Sequence, residues 1–176
     1  MGWQSGATRI HYCRLSADDL PFLDESADGV VTFNAVHHFK LDHFISEASR
    51  VLRPRGLLAI YTRTLDQNKR TVWGQHFPRF TERESRLYSC ERLKQSIGGA
   101  AGLMMEGIHE FKHTRAESVE SLLNRARNLH YSTFALYPRN EFFRALNTFA
   151  QRLGRLCQKG LIKHTAENTL ILARRT

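Results

Sequence analysis

Continuous apolar runs alternate with an amphipathic segment in the first third of the chain. Residues 29–34 (GVVTFN) and 57–62 (LLAIYT) are apolar almost throughout, which is typical of strands buried inside a parallel sheet. Between them, apolar residues recur at helical spacing over residues 41–52, and Pro54 and Gly56 then favour a helix end. The pattern predicts a βαβ crossover in an α/β protein.

The rest of the chain has weaker patterns that become mainly helical. A short β-prone run lies at residues 10–15, and residues 65–80 predict a loop with short helical turns. Two apolar stripes at helical spacing predict a helical insertion at about 116–157. The remaining predicted elements are a helix over 90–97, ended by Gly98 and Gly99, and strands over 103–113 and 169–173. We expect residues 1–176 to form a single domain.

Composition is that of an ordinary globular protein. Hydrophobic residues make up 41% of the chain and charged residues 24%, which allows a substantial core. No apolar stretch approaches the roughly 18 residues of a membrane span, and no signal-like pattern begins the sequence. Cys13, Cys90 and Cys157 are scattered, which argues against a disulfide framework or a zinc site. We expect a cytoplasmic protein without a metal and without membrane contact.

The net charge of +9 is unevenly distributed. Residues 1–60 hold six Lys and Arg against seven Asp and Glu, whereas residues 61–176 hold twenty against ten. Such a basic segment makes nucleic acid a possible partner. The basic residues are dispersed and form no run of five or six like charges, so we favour single positions on the outer faces of helices.

Five short motifs follow one another between residues 16 and 62. They read S-A-D-D-L-P-F, S-A-D-G-V-V, A-V-H-H-F, E-x-x-R-V-L-R-P-R-G and L-L-A-I-Y-T, starting at residues 16, 26, 35, 47 and 57. In this order and spacing they resemble the class I S-adenosylmethionine (SAM)-dependent methyltransferases of the ubiquinone-biosynthesis-like group. Arg55 stands where that family has the first glycine of its P-G-G motif.

The resemblance implies a fold, an activity and a cofactor. The fold is the Rossmann-like class I methyltransferase fold, a partly parallel sheet with helices on both faces and the strand order 3-2-1-4-5-7-6, in which residues 10–15 would be the third strand. The activity is methyl transfer from SAM to a small-molecule or nucleic-acid acceptor. A small-molecule substrate is the favoured partner. For the oligomeric state, a homodimer is an alternative to a monomer.

The resemblance also implies cofactor-binding residues. The side chain of Ser16 or Asp18 and the backbone of Ala17 would meet the adenine edge, and Asn34 and Ala35 would flank the methionine portion. The family's usual aspartate is Ser16 here, a weaker acceptor that would lower the affinity by roughly 1–2 kcal/mol.

The family's glycine-rich SAM loop and the acidic residue that follows it have no counterpart in this sequence. Gly2 and Gly6 form no G-x-G pattern, and residues 1–15 are too few for both elements. We therefore expect an N-terminally truncated domain without the first strands, an exposed sheet edge, and weak SAM binding by these 176 residues. A truncated gene, a partner chain that supplies the missing half, and a decayed homologue are the three explanations.

Two other classes of function remain open. The chain can be a non-catalytic remnant or subunit that acts through dimerisation, or a module that binds RNA through its basic part. Salt-dependent RNA affinity would favour the latter, whereas a stable oligomer without SAM binding would favour the former.

The resemblance also implies an acceptor site, because this family places its acceptor pocket in the loop beside the methyl donor. In this chain the site would be the end of the strand over residues 57–62 and the aromatic loop after it. We expect His38, Tyr61, Arg63, Trp73 and His76 to contact the acceptor, because aromatic faces hold planar or cationic groups and guanidinium groups bind carboxylate or phosphate. The equally weighted alternative is that Trp73 and Phe77 are core anchors.

No catalytic residue is predicted, because methyl transfer mainly requires alignment of the acceptor with the methyl group and the sulfur. His37 and His38 are adjacent in a predicted strand end and should point to opposite faces, so they should not share a metal ion.

Overall fold

The computed structural model describes residues 10–176. Its helices and strands, in chain order, are β1 (Ala27–Phe33), α1 (Leu41–Val51), β2 (Leu52–Thr62), α2 (Leu65–Arg70), α3 (Val72–His76), α4 (Phe80–Arg83), α5 (Cys90–Gly99), β3 (Leu103–Glu117), α6 (Val119–Arg127), α7 (Arg139–Leu156) and β4 (Ile162–Arg175). Two 3-10 turns complete them, Val36–His38 after β1 and Ser132–Leu136 before α7.

The four strands form one mixed sheet in the order β1-β2-β4-β3. β1 and β2 are parallel and are connected through α1, which confirms the predicted βαβ crossover. β4 is antiparallel to both β2 and β3. This order corresponds to the 4-5-7-6 end of the family's sheet, so the expected Rossmann-like α/β class is confirmed.

Helix α1 forms because its apolar stripe packs onto one face of the sheet, where α5 lies beside it. Its core comprises Phe44, Ile45, Ala48, Leu58, Ile60, Leu93, Ile97, Ile171 and Ala173. Burial of each large apolar side chain contributes roughly 1.5–3 kcal/mol. The helix ends at Val51, earlier than Pro54 suggested, because Leu52 already pairs with Ala27 in the sheet.

The E-x-x-R pair of α1 fastens the loop before β1. Arg50 donates to the carbonyl oxygens of Leu20 at 2.9 Å and Phe22 at 2.7 Å, and to the Asp24 carboxylate at 2.8 Å. It also pairs with Glu47 at 2.7 Å, and the Leu20 N–H donates to that carboxylate at 2.8 Å. A motif that carries the family resemblance is therefore a structural tie.

The backbone conformation of Arg55 explains why the family has a glycine at this position. Its backbone lies in the left-handed region with φ of 69°, which glycine adopts without strain and other residues rarely do. The neighbouring Gly56 is also constrained, since a Cβ there would lie 2.9 Å from the carbonyl oxygen of Arg53.

A second core lies apart from the sheet core and is rich in aromatic side chains. Residues 65–80 form the short helices α2 and α3 and the start of α4, and the helices α6 and α7 pack against this region. Trp73 and Phe77 are fully buried there. The interpretation of these two residues as core anchors is therefore correct. Trp73 lies 5.0 Å from Phe149 and 5.3 Å from Phe134, between ring centroids.

The strand expected at residues 10–15 is wrong. These residues have no strand assignment and are exposed, and the neighbouring strand that would pair with them is not among the described elements. A β-prone segment without a partner leaves its backbone groups to water, so propensity alone does not make it a strand.

The last two strands are longer than predicted. β3 reaches Glu117 rather than residue 113, and β4 begins at Ile162 rather than residue 169. The added residues pair with each other as a two-stranded arm beyond the four-stranded sheet, from Phe111 opposite Asn168 to Glu117 opposite Ile162. The arm is mostly polar, so its sequence lacks the apolar pattern of a buried strand.

One face of the sheet is open over β1 and β2. Val31 is 70% exposed and Phe33 is 66% exposed, and Phe33 stacks on the ring of Tyr61 with 4.4 Å between centroids. The outer edge of β1 has no partner strand among residues 10–176. The expected helices on both faces are therefore seen only in part, because α1 and α5 cover the opposite face at this end.

Candidate functional site

A cavity of about 600 Å³ opens where β1 and β2 end. The ends of these strands and the turn after β1 form its near wall, and α6 and the β3–β4 arm form its far wall. We call it the cationic cavity. Of the predicted site residues it brings together Asn34, His38, Tyr61, Arg63 and Trp73. Ligands of open α/β sheets bind at such carboxyl ends of strands.

A smaller groove of about 390 Å³ lies on the other side of the end of β1. We call it the apolar groove, and it is lined by Ala17 and Ala35 together with Leu20, Phe33 and Phe39. Asn34 lines the cationic cavity and the next residue, Ala35, lines the apolar groove. The two spaces therefore meet across one peptide unit.

Backbone geometry at the end of β1 explains why Asn34 can turn the chain there. Asn34 has φ of 52°, a left-handed conformation that asparagine tolerates better than most residues. Its N–H still donates to the carbonyl oxygen of Tyr61 at 2.8 Å, and its side-chain oxygen accepts from Asn168 at 3.4 Å.

The loop that carries Ser16 and Asp18 is held by its own polar groups. The Ser16 hydroxyl accepts from the Asp18 N–H at 3.2 Å, and the Asp18 carboxylate accepts from the Lys40 N–H at 3.0 Å. This second bond fixes the loop against the start of α1. Ser16 is exposed, whereas Ala17 is half-buried at the groove.

The expected separation of His37 and His38 onto opposite faces is wrong. Residues Val36–His38 form a 3-10 turn rather than a strand end, so both rings line the cationic cavity with 4.1 Å between their centroids. Burial, followed by the nearby His38, lowers the pKa of His37 to about 4. Its Nδ1 atom is buried and has no hydrogen-bond partner among the described residues. The ring is therefore neutral near pH 7 and retains one unused nitrogen.

Arginine side chains surround Tyr131 in the far wall. The Arg63 guanidinium lies 5.3 Å and that of Arg125 lies 5.7 Å from the centroid of the Tyr131 ring. Arg125 also pairs with Glu117 at 2.8 Å. The Arg63 Nε donates to the backbone carbonyl of Glu167 at 3.3 Å.

The sequence did not reveal the residues that the arm and α6 contribute to this wall. His113, Arg115, Arg125, His130 and His164 all line the cavity. They lie about 80 to 130 residues after the end of β1 and come together only because the arm folds over the ends of β1 and β2. The one local signal was the alternation of His113 and Arg115, which places both on one face of a strand.

His76 does not join the predicted set. It lines a separate cavity of about 630 Å³ between α3 and the start of β4, and its carbonyl oxygen accepts from Arg152 at 3.0 Å. Burial, with a contribution from Arg152, lowers its pKa. His76 and Trp73 therefore do not line one cavity: Trp73 lines the cationic cavity and His76 lines the adjacent one.

Among residues 10–176, His, Cys, Asp and Glu form no group of three or more that could hold a metal ion. Within the same residues, none of the helices has the length and apolarity needed to cross a membrane.

Comparison with known proteins shows a similarity over the first third of the chain. A family model described as a methyltransferase domain matches residues 2–60, and no curated protein matches the chain. This match confirms the resemblance stated from the motifs. Residues 2–60, about a third of the chain, are therefore similar to a methyltransferase domain.

Solved structures agree on the fold. A protein assigned as a methyltransferase from Bacillus halodurans has a TM-score of 0.60 at 21% identity, over 94% of this chain and 77% of that one. A protein assigned as a methyltransferase of antibiotic biosynthesis from Anabaena variabilis also reaches 0.60, at 18% identity over 88% and 70%. The cyclase SpnF reaches 0.54 at 18% identity, over 96% of this chain and 57% of SpnF. Since one of these proteins is a cyclase, the shared fold does not by itself specify the reaction.

Proposed function

We propose that the protein takes part in SAM-dependent methyl transfer to a small molecule bound in the cationic cavity. The observation that carries the proposal is the meeting of two spaces at Asn34 and Ala35, with the apolar groove on one side and the cationic cavity on the other. Such a junction lets a donor and an acceptor approach each other from opposite sides.

The residues of the apolar groove fit the adenine end of SAM. Ala17 and Ala35 present small side chains to the groove. Ser16 and Asp18, the neighbours of Ala17 in sequence, would supply a hydroxyl and a carboxylate. The chain supplies no glycine-rich loop for the rest of the cofactor. When bound, SAM provides a methyl group on a positively charged sulfur leaving group.

The residues of the cationic cavity would position the acceptor. Tyr61 offers aromatic surface, and Arg63 offers a guanidinium group. Trp73 is buried behind this surface and supports it from the aromatic core. His38 lies at the rim near Asn34, where it would contact the part of the acceptor that faces the groove. The cavity volume of about 600 Å³ suits a small molecule better than a polymer.

Calorimetry with SAM and S-adenosylhomocysteine tests the cofactor half of the proposal. We expect weak binding, and we expect Ala35→Leu to abolish it by filling the apolar groove. Ala135→Leu is the matched control, because Ala135 is exposed in the other 3-10 turn. Absence of binding at millimolar cofactor, with the chain folded by circular dichroism, would contradict the proposal.

A second candidate, a subunit that associates through its sheet, is favoured by the open end of β1. An unpaired strand edge beside exposed Val31 and Phe33 is a surface for another strand or apolar face. Light scattering after size exclusion should show concentration-dependent association that Phe33→Ser weakens. Phe143→Ser, at an exposed phenylalanine of α7, should not weaken it. A monomer at all concentrations would remove this candidate.

Nucleic acid is a weaker candidate because arginine residues of the basic part pair with carboxylates. Examples are Arg70 with Glu167 at 2.5 Å and Arg92 with Asp42 at 2.5 Å. Pairing of this kind lowers the positive potential available to a phosphate backbone.

A further inference from the structure

The far wall of the cationic cavity carries positive charge that the described residues do not neutralise. Three arginines line the cavity, Arg63, Arg115 and Arg125. Only Arg125 has a carboxylate partner within 4 Å among residues 10–176, namely Glu117 at 2.8 Å. Arg63 and Arg115 make their contacts to a backbone carbonyl and to a histidine ring instead.

The carboxylate of the cavity lining does not change this balance. Glu84 is buried, and its carboxylate accepts from Arg86 at 2.6 Å and from the Thr133 hydroxyl at 2.6 Å. Burial opposes ionisation of Glu84, but these hydrogen bonds outweigh it and lower its pKa. The negative charge of Glu84 is therefore balanced by Arg86, and Arg63 and Arg115 keep no carboxylate partner among residues 10–176.

The two unmatched arginines line the same cavity as His130. Burial, followed by the charge of Arg125, lowers the pKa of His130, with smaller contributions from Arg115 and Arg63 and an opposing one from Glu117. In the β3–β4 register of the arm, Arg115 lies opposite His164. Arg63 donates a hydrogen bond to the backbone carbonyl of Glu167 on the same strand as His164. These positions are three residues apart along β4, a distance of roughly 10 Å.

We infer that this wall is a binding site for a compact anionic group, a carboxylate or a phosphate, held by Arg63 and Arg115. Arg63 is half-buried, and a half-buried guanidinium without a carboxylate gains most from a charged acceptor. Guanidinium groups bind both kinds of anion through paired N–H donors. As the substrate class of the acceptor, this inference rests on the proposed function; as an anion site, it does not need the cofactor.

The size and walls of the cavity restrict the anion further. The rings of Tyr131 and Tyr61 line the same space as the two arginines. An acceptor with a flat or apolar body and one acidic end would place the body against these rings and the acidic end at the arm. The end of the body nearest Asn34 would then face the apolar groove.

Titration of the whole chain with three probes tests the site without SAM. The probes are inorganic phosphate, inorganic pyrophosphate and benzoate. Calorimetry at low ionic strength measures the binding of each one. We expect saturable binding of at least one probe. Tighter binding of benzoate would assign a carboxylate to the acceptor, and tighter binding of either phosphate compound would assign a phosphate.

Variants separate this site from general attraction to a basic protein. Arg63→Gln and Arg115→Gln should each weaken binding about tenfold, the loss expected for one charged contact. Arg155→Gln makes the same charge change at an exposed residue near the end of α7 and should leave the affinity unchanged. Circular dichroism checks that each variant is folded.

Three results would overturn the inference. They are the absence of binding by all three probes, binding that Arg63→Gln and Arg115→Gln leave intact, and equal weakening by Arg155→Gln. Anion binding without any S-adenosylhomocysteine binding would retain this site and refute the proposed methyl transfer. Cofactor binding without anion binding would refute this anion site and retain the cofactor part of the proposed function.

Discussion

Arg55 is a single residue at which the chain departs from its family and carries a strained backbone as a result. A left-handed conformation costs a non-glycine residue roughly 1–2 kcal/mol. Glycine removes that strain but adds roughly 0.5–1 kcal/mol of chain entropy to the unfolded state. We therefore expect Arg55→Gly to raise the free energy of unfolding by about 0.5–1 kcal/mol, measured by urea denaturation.

Arg55→Ala provides the control for this change. It removes the same side chain but keeps the Cβ atom that makes φ of 69° unfavourable. Its free energy of unfolding should not rise. An equal gain from Arg55→Ala would show that the side chain, and not the backbone, is the source of the cost.

His37 is the residue whose burial has the clearest consequence for pH. Its pKa in the folded chain is about 4, below the value of about 6.5 in an unfolded chain. Between these values the unfolded state binds the proton and the folded state does not, so stability falls as the solution is acidified from about pH 6.5 to about pH 4. Titration of the His37 ring by nuclear magnetic resonance should give a midpoint of about 4.

A variant connects this titration to stability. His37→Gln cannot take up the proton, so the loss of stability between about pH 7 and about pH 5 should be smaller than in the parent chain. His43→Gln, on the exposed face of α1, should keep the loss of the parent. A ring that titrates near 6.5 would show that His37 is solvated in solution.

At the scale of elements, the tie between α1 and the preceding loop depends on one carboxylate. Hydrogen bonds from Arg50 are the main reason that the pKa of Glu47 is lowered to about 2, with the Leu20 N–H adding to the effect against burial. We expect Glu47→Gln to lower the free energy of unfolding by about 1–3 kcal/mol near neutral pH. Thermal denaturation would measure this change, with Glu91→Gln on the exposed side of α5 as the control.

The sign of the pH dependence follows from the lowered pKa. Glu47 contributes its stability above about pH 4.5, and the contribution is lost as the pH falls toward about 2. The difference between the parent and Glu47→Gln should therefore shrink over this range. A difference that stays constant on acidification would contradict the ion pair as its source.

Elements whose signals are local were predictable from the sequence. β1, α1 and β2 follow apolar runs and a helical stripe, and the pairing of Glu47 with Arg50 lies within a motif. The elements that were predicted wrongly or missed depend on contacts between distant parts of the chain. The strand at residues 10–15 depended on a partner that the described sheet does not contain, and the polar arm of β3 and β4 depends on the pairing of two distant segments.

The candidate site divides in the same way. Asn34, Tyr61 and Arg63 were predicted because they end strands that the sequence shows plainly. Arg115 and His130 were missed because the arm and α6 bring them to the cavity from distant parts of the chain. The turn at His37 and His38 was misjudged because a 3-10 turn replaces the last residues of the expected strand.

At the scale of the whole molecule, the described residues form two separate apolar cores. One core lies between the sheet and the helices α1 and α5, and the other joins α3, α4, α6 and α7. The cationic cavity has walls from both. The two regions therefore share a ligand site without sharing a continuous apolar interior.

Because the two apolar cores are separate, each region can unfold locally as a cooperative unit, a foldon, without the other. Native-state hydrogen exchange should give two groups of amides, one in α1 and β2 and one in α6 and α7, with different opening free energies. A small anion that contacts both walls would bind only when both regions are closed, and mass action would raise the lower opening free energy. Ligand binding would then do more than fill a cavity: it would make the folding of two regions one cooperative event.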